Sequence, residues 1–474
     1  MMARRIVLDR SFAAARVKQW SSRPARWCQH RRARPVRLHH ISLPLADACA
    51  GGCCRRGVRV GRHMGLDLSA RRRGSAAKRL VRIMGLVTAV CFAALVRAEP
   101  VAVSPQVTDL TSDSELMISY RHQEHMWQTP DGALHLLINR GTLRPNSGLV
   151  LFSSFDGGVS WLPQVALART DRNSTADGQL EGTTLSVVYG DSRSAVVFVQ
   201  LSYDSTLRTW TLNRTESVYR VSGLQPYNPT LAFDEAGVAW CSFALLNNAT
   251  NDIHLRWTYR PTEGTWVDTG VIVGPTDNVS KERSGRPVRI PGGMGLIYRV
   301  HQSTYWTTRA NSAPPTFLSE PVLIQAGSAR SSRSDPYASH FGVVADDTGH
   351  LHLAILDDSS MRYLRYSMLD GTWSAPRTVD FGGASSYPQI GLANGQVQLA
   401  VSLSWRGGAV SLSNDYGDTF TPAFTLRTPT APEGVSYKTP RLESASRSSG
   451  TLAILQQYED NKLQRLMVYK VPVP

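Results

Sequence analysis

From about residue 100 the chain is a succession of short runs in which apolar and polar residues alternate. They are rich in Val, Thr, Tyr and Trp, are broken by glycine turns, and almost never repeat at helical spacing. A period of two puts successive side chains on opposite faces of a strand, so the pattern predicts an all-β protein. One unit recurs: a β-run, a tight turn and a second β-run. It reads HMWQTPDGALHLLIN around Gly132, LSVVYGDSRSAVVFVQ around Asp191, PTLAFDEAGVAWCSF around Gly237, RPVRIPGGMGLIYRV around Gly293, FGVVADDTGHLHLAIL around Gly349, QIGLANGQVQLAVSL around Gly395 and RLESASRSSGTLAIL around Gly450. These turns lie 59, 46, 56, 56, 46 and 55 residues apart, the length of a propeller blade of four strands. Seven turns predict a seven-bladed β-propeller over residues 99–474. The last copy reaches only its third strand before the chain ends, so the segment Val101–Tyr120 is expected to supply the fourth and close the ring, removing the free sheet edges of an open array.

Two turns between third and fourth strands carry a sharper pattern. Ser154-Phe-Asp156-Gly-Gly158-Val-Ser160-Trp161 and Ser413-Asn-Asp415-Tyr-Gly417-Asp-Thr419-Phe420 both fit Ser-x-Asp-x-Gly-x-Ser/Thr-aromatic. The carboxylate can accept the N–H groups of its own turn, glycine allows a positive φ, and the aromatic can fill the space between sheets. Weaker versions end in Gly264-Thr-Trp266 and Gly371-Thr-Trp373. On these residues the chain resembles the sialidase (neuraminidase) superfamily, whose hairpin turns carry such Asp-boxes. The resemblance implies a propeller, and it brings in the six-bladed sialidase form as the alternative to seven.

Blade topology sorts side chains onto two faces. The inner strand of each blade runs from an upper face to the first turn on the lower face, and the turns between second and third strands also lie above. Entering the inner strands are His125, Glu181, Tyr227, Arg286, Tyr337 with His340, Tyr387, and Tyr437. At or near the second-to-third turns stand Arg140, Asp204, Asn247, Arg299, His301 with Tyr305, Asp357 with Asp358, Arg406, and Glu459 with Asp460. This set is rich in Arg, His and Tyr. Guanidinium groups match carboxylates as a fork, and Tyr and His can hydrogen-bond to or stack on sugar rings, so the upper funnel is expected to take an acidic glycan. His350 and His352 lie two apart on a strand and read as ordinary strand histidines; no metal and no cofactor are expected, and no HExxH, P-loop or dinucleotide fingerprint occurs.

Charge then changes the picture of the whole chain. The 474 residues carry a formal +15, but residues 1–98 hold 22 Lys+Arg and only Asp9, Asp47 and Asp67, a net +19, leaving −4 for the remainder. A basic charge confined upstream of the folded body excludes a nucleic-acid-binding surface. Residues 71–82 are basic, Ile83–Val96 is uncharged, and Val96 and Ala98 precede Glu99. That is the form of a secretory signal, with residues 64–98 as the signal peptide and 1–63 as a disordered basic extension or a start placed too early. Fourteen apolar residues fall short of a membrane span. The protein is therefore expected to be secreted or periplasmic, with no membrane attachment after cleavage. Five of six cysteines fall in the leader, which leaves Cys241 alone in the body and excludes an internal disulfide.

Three functions fit this reading. The first implied by the resemblance is a sialidase, which clamps its substrate carboxylate with three arginines and uses a tyrosine nucleophile. Tyr437 falls where that family places its nucleophile, but the family's Arg-Ile-Pro appears only as Arg289-Ile290-Pro291, in the fourth blade. The second is a uronate-cleaving lyase, because the architecture also resembles the seven-bladed ulvan-lyase-like enzymes. Elimination needs a cation on the carboxylate, a base and an acid. Arg286, Arg299 or Arg406 could neutralise, His125, His301 or His340 accept the proton, and Tyr337, Tyr305 or Tyr437 donate one, with Arg140 and Tyr227 as further binding residues. The third is a propeller that binds a glycan or a protein without chemistry. Elimination on an acidic, uronate-containing polysaccharide is the reading carried forward.

Overall fold

A computed structural model describes residues 100–118, 122–143, 145–168, 176–191, 195–247, 249–250, 252–276, 284–300, 303–327, 340–357, 360–403, 407–428, 441–460 and 462–473. The segments expected to be a signal peptide and a basic extension, residues 64–98 and 1–63, lie outside them. No helix among the described residues is long and apolar enough to cross a membrane.

The fold is all-β, a propeller of antiparallel meanders. Among the described residues seven sheets follow one another, with inner strands Met126–Gln128, Ala176–Glu181, Leu224–Phe233, Ser284–Ile290, Phe341–Ala345, Ser385–Ala393 and Arg441–Ser444. In the seventh sheet the order is Arg441–Ser444, Thr451–Asp460, Leu463–Pro472 and then Gln106–Ser112, which pairs antiparallel with Leu463–Pro472 from Gln106 opposite Val468 to Ser112 opposite Gln464. The segment near the start of the body thus supplies the outer strand of the last sheet, as its position in the sequence predicts. Just before it, Val101–Val103 adds a parallel strand to the outside of the sixth sheet, with Val101 opposite Phe424.

Alternation explains why the sheets form a ring. In Thr184–Asp191, Val187 joins the apolar cluster shared with the first sheet and Val188 the one shared with the third. In Gly293–Val300, Leu296 packs toward the third sheet and Ile297 toward the fifth. Each middle strand is apolar on both faces because each face meets another sheet. The seventh sheet closes on the first through Leu110, Leu455, Leu466 and Val468 against Met126, Leu136 and Phe152. Cys241 is a buried free thiol between the second and third sheets, where burial pushes its pKa far up and keeps it unreactive.

The second sheet corrects one expectation. Asp191 ends the second strand rather than the first; the first turn of that sheet joins Ala176–Glu181 to Thr184–Asp191 through Gly182, at φ 60°. Both hairpins have the same alternating pattern, so the sequence alone slides by one. The intervals around this turn become 50 and 55 residues. Glu181 and Asp204 consequently fall on the lower face.

Both Ser-x-Asp-x-Gly turns join third to fourth strands. Asp156 accepts from the backbone N–H groups of Val159 and Ser160 at 3.0 Å and from the Ser160 hydroxyl at 2.6 Å, while Ser154 Oγ accepts from Gly158 N at 2.8 Å. Asp415 repeats this with Thr419 and Ser413. Burial alone would raise both carboxyls, but the hydrogen bonds from Ser160 and Thr419 outweigh it and hold each down to about 2. The aromatics that follow tuck back toward the preceding sheet: Trp161 into the seventh–first interface, Trp266 into the second–third, Trp373 into the fourth–fifth and Phe420 into the fifth–sixth.

Two outcomes follow. Leu110→Ala on the closing strand, 3% exposed, should cost about 3 kcal/mol in urea denaturation, whereas Val107→Ala on the same strand, 57% exposed, should cost less than about 0.5 kcal/mol. The depressed carboxyls at 156 and 415 contribute stability that is present above their ordinary pKa and lost as pH falls through about 2. The double variant Asp156→Asn, Asp415→Asn should therefore be less stable near neutrality, and the gap to the wild type should narrow on acidification.

Candidate functional site on the propeller axis

The chain enters the first inner strand through His122-Gln-Glu-His125, and this tetrapeptide lies across the middle of the ring. The His122 ring stacks on Phe341 of the fifth sheet at 5.2 Å. Gln123 Nε2 donates to Pro229 O of the third at 2.8 Å, and Glu124 N donates to Asp177 of the second at 2.6 Å. His125 Nδ1 lies 3.3 Å from Glu443 of the seventh. Arg286 of the fourth sheet donates to the His122 carbonyl. One short segment thereby touches the inner strands of five other sheets.

Its electrostatics turn on one guanidinium and two carboxyls. Arg286 is 2.8 Å from Asp177 and 3.8 Å from Glu124. Asp177, fully buried, also accepts the N–H groups of Glu124 and Leu231; burial drives its pKa up against Arg286 and these donors. Glu124 has the longer ion pair and only Ser446 N, at 3.2 Å, as a backbone donor. Burial therefore prevails over Arg286, and its carboxyl is pushed up to about 7. One cation cannot balance two anions in a desolvated site, so burial works against ionising both carboxyls together.

Above this hub, at the entering ends of the inner strands, His340, Tyr387 and Arg441 come together. The rings of His340 and Tyr387 are 4.9 Å apart, and the Arg441 guanidinium lies 5.6 Å from the centre of the Tyr387 ring. Arg441 Nη1 also donates to Ile118 O at 3.4 Å. Tyr387 has φ 53°, at a break in strand pairing between Ser386 and Gln389; Asn228 repeats this at φ 49° in the third sheet. Each precedes a proline, and Arg286 precedes Pro287. Prolines are tolerated on these strands because their free edges face the axis, where no ladder partner is lost. A bulky residue at positive φ is strained, and here the strain sits beside the cluster.

The other expected residues are placed differently. Arg299 is fully buried and donates to Leu356 O at 3.2 Å and His340 O at 3.4 Å. Arg140 donates to Thr111 O and Pro145 O at 3.1 Å. Arg286, Arg299 and Arg140 thus each hold protein partners of their own and do not converge. Tyr305 stacks on Tyr298 at 5.4 Å. Tyr227 packs half-buried against Ala244, Leu246 and Ile253, and burial raises its pKa. His301, Tyr337, Arg406 and Tyr437 lie outside the described residues. Arg289 donates to Phe233 O at 3.0 Å, so its Arg-Ile-Pro is part of the lower face. His352 bonds to Asp346 and Tyr363 at 3.0 and 2.7 Å, an ordinary core arrangement. No group of three or more His, Cys, Asp or Glu able to hold a metal occurs among the described residues. The sequence reading missed Arg441, Glu124, Asp177 and Glu443. Arg441 follows a proline at the start of an inner strand, the one signal that could have found it.

No protein-family model matches the chain, and no curated protein does either. Similar solved structures include a putative 6-phosphogluconolactonase from Bacteroides fragilis, 17% identical, covering 73% of this chain and 97% of that one at a TM-score of 0.44. An ulvan lyase of family PL25 is 13% identical over 52% of this chain and 66% of its own, at 0.35. The sialidase of Trypanosoma rangeli is 10% identical over 79% and 56%, at 0.39. Identities and scores this low leave the chemistry of the axis to be argued from its own residues.

Because the folded state raises the Glu124 pKa, the stability it contributes is full below its ordinary value of 4.5 and is lost as pH rises through about 7. Glu124→Gln keeps the neutral shape without that loss. Chemical denaturation from about pH 5 to about pH 8 should show the variant gaining on the wild type as pH rises.

Proposed function

We propose that the protein is a secreted glycan-acting propeller that cleaves an acidic, uronate-containing polysaccharide by elimination at the upper end of its axis. The observation that carries this reading is the meeting of His340, Tyr387 and Arg441, three side chains from three sheets, at one point of the axis. They supply the three groups that elimination needs. Arg441 neutralises the uronate carboxylate and acidifies the neighbouring C5–H. His340 takes the C5 proton, the C–H electron pair becomes the C4=C5 double bond, and the C4–O bond breaks. Tyr387 gives its hydroxyl proton to the leaving sugar oxygen. The two Ser-x-Asp-x-Gly turns, read as Asp-boxes of the sialidase superfamily, sit on the opposite face and stabilise hairpins.

The test is incubation of the purified protein with ulvan, other uronate polysaccharides and a sialoside. Elimination is expected to produce the ultraviolet absorbance of an unsaturated uronate. Release of free sialate would replace this reading with a hydrolase, and the absence of any product would replace it with a binding module. Tyr387→Phe and His340→Ala should each lower kcat by about 10²–10⁴-fold, with melting curves showing that the fold is kept.

A further inference from the structure

The lower end of the axis holds a cavity of about 750 Å³. It lies beneath the hub, at the finishing ends of the inner strands, so it is separate from the His340–Tyr387–Arg441 cluster. Its wall contains the Trp127 indole, which sits flush on Gly178: a Cβ added there would come within 2.7 Å of the ring. Trp127 is 2% exposed, and its Nε1 has no hydrogen-bond partner among the described residues; the same holds for Ser448 Oγ on the same wall. A buried donor left without a partner costs free energy that a ligand hydroxyl would recover. Around them stand Gln179 and Gln200, both half-buried amides that can donate and accept.

The charges on this wall are of both signs. Arg286 is matched by Asp177 and burial favours the neutral form of Glu124, while at the rim Arg447 pairs with Asp347 at 2.9 Å and the exposed Glu181 and Arg289 are of opposite sign. An interior with amides, hydroxyls and an indole, its exposed charges kept to the rim, suits a molecule with many hydroxyls and an apolar face. We propose that this lower cavity is a second binding site, for a neutral sugar residue, lying against Trp127 and held by Gln179, Gln200 and Ser448. The proposal stands apart from the elimination reading: a protein without lyase activity would still have this site.

Saturation-transfer NMR on the purified protein tests it, using methyl glycosides of a neutral hexose, a 6-deoxyhexose and a pentose at millimolar concentration, with methyl glucuronoside and inorganic phosphate as charged probes. At least one neutral glycoside should receive saturation from the protein and compete with the other neutral ones. The double variant Gln179→Ala, Gln200→Ala should weaken its binding about tenfold or more, as expected for two lost hydrogen bonds, whereas Tyr387→Phe should leave it unchanged. Thermal melting establishes that each variant is folded. Saturation of none of the neutral glycosides, or of the charged probes alone, would overturn the proposal. So would neutral binding that survives the double variant or is lost in Tyr387→Phe.

Discussion

The ring depends on one guanidinium shared by two carboxyls at its centre. Between neighbouring sheets the attraction is apolar and tolerant of small slides. At the axis it is directional: Arg286 must meet Asp177, Glu124 and the His122 carbonyl together. Burying these groups is costly unless each is matched. Burial raises the pKa of both carboxyls, and the shared guanidinium opposes it. The tetrapeptide that carries Glu124 is therefore fixed against sheets that are distant in sequence, and it divides the axis into an upper and a lower compartment.

Much of the fold was legible because propeller strands obey a strict local rule. Both faces of a middle strand are buried, so the alternation, the glycine turns and their near-constant interval all stand in the sequence. The rule also explains the slip at Asp191: two successive hairpins with the same alternation cannot be told apart without knowing which strand lies inside. The axis was far less legible. Arg286 and Arg299 look alike as basic residues near strand ends, but one is anchored by carboxylates and the other by the carbonyls of Leu356 and His340. Only the three-dimensional meeting of sheets decides which arginine is already occupied. His340 and Tyr387 were readable from blade position, whereas Arg441 had only the proline before it as a signal until the seventh sheet was set beside the sixth.

The two ends of the axis differ in kind. The upper cluster gathers a positive group, an imidazole and a phenol beside a strained backbone position, an arrangement suited to moving protons. The lower cavity collects amides, hydroxyls and an indole with its exposed charges kept to the rim, an arrangement suited to holding a neutral molecule. Both are built from inner strands whose prolines and irregular pairing would be penalised elsewhere in a sheet.

The closing strand sets an order of events. Gln106–Ser112 stands near the start of the body in sequence, and its partner Leu463–Pro472 lies far downstream. Joining them spans nearly the whole body, the kind of distant contact that slows folding. Until Leu463–Pro472 is in place, the early segment has no partner in the seventh sheet, and neither Gln106–Ser112 nor that sheet can shield its edge. The stage before these two strands meet is thus the one most open to mispairing with other copies, because both edges are then bare.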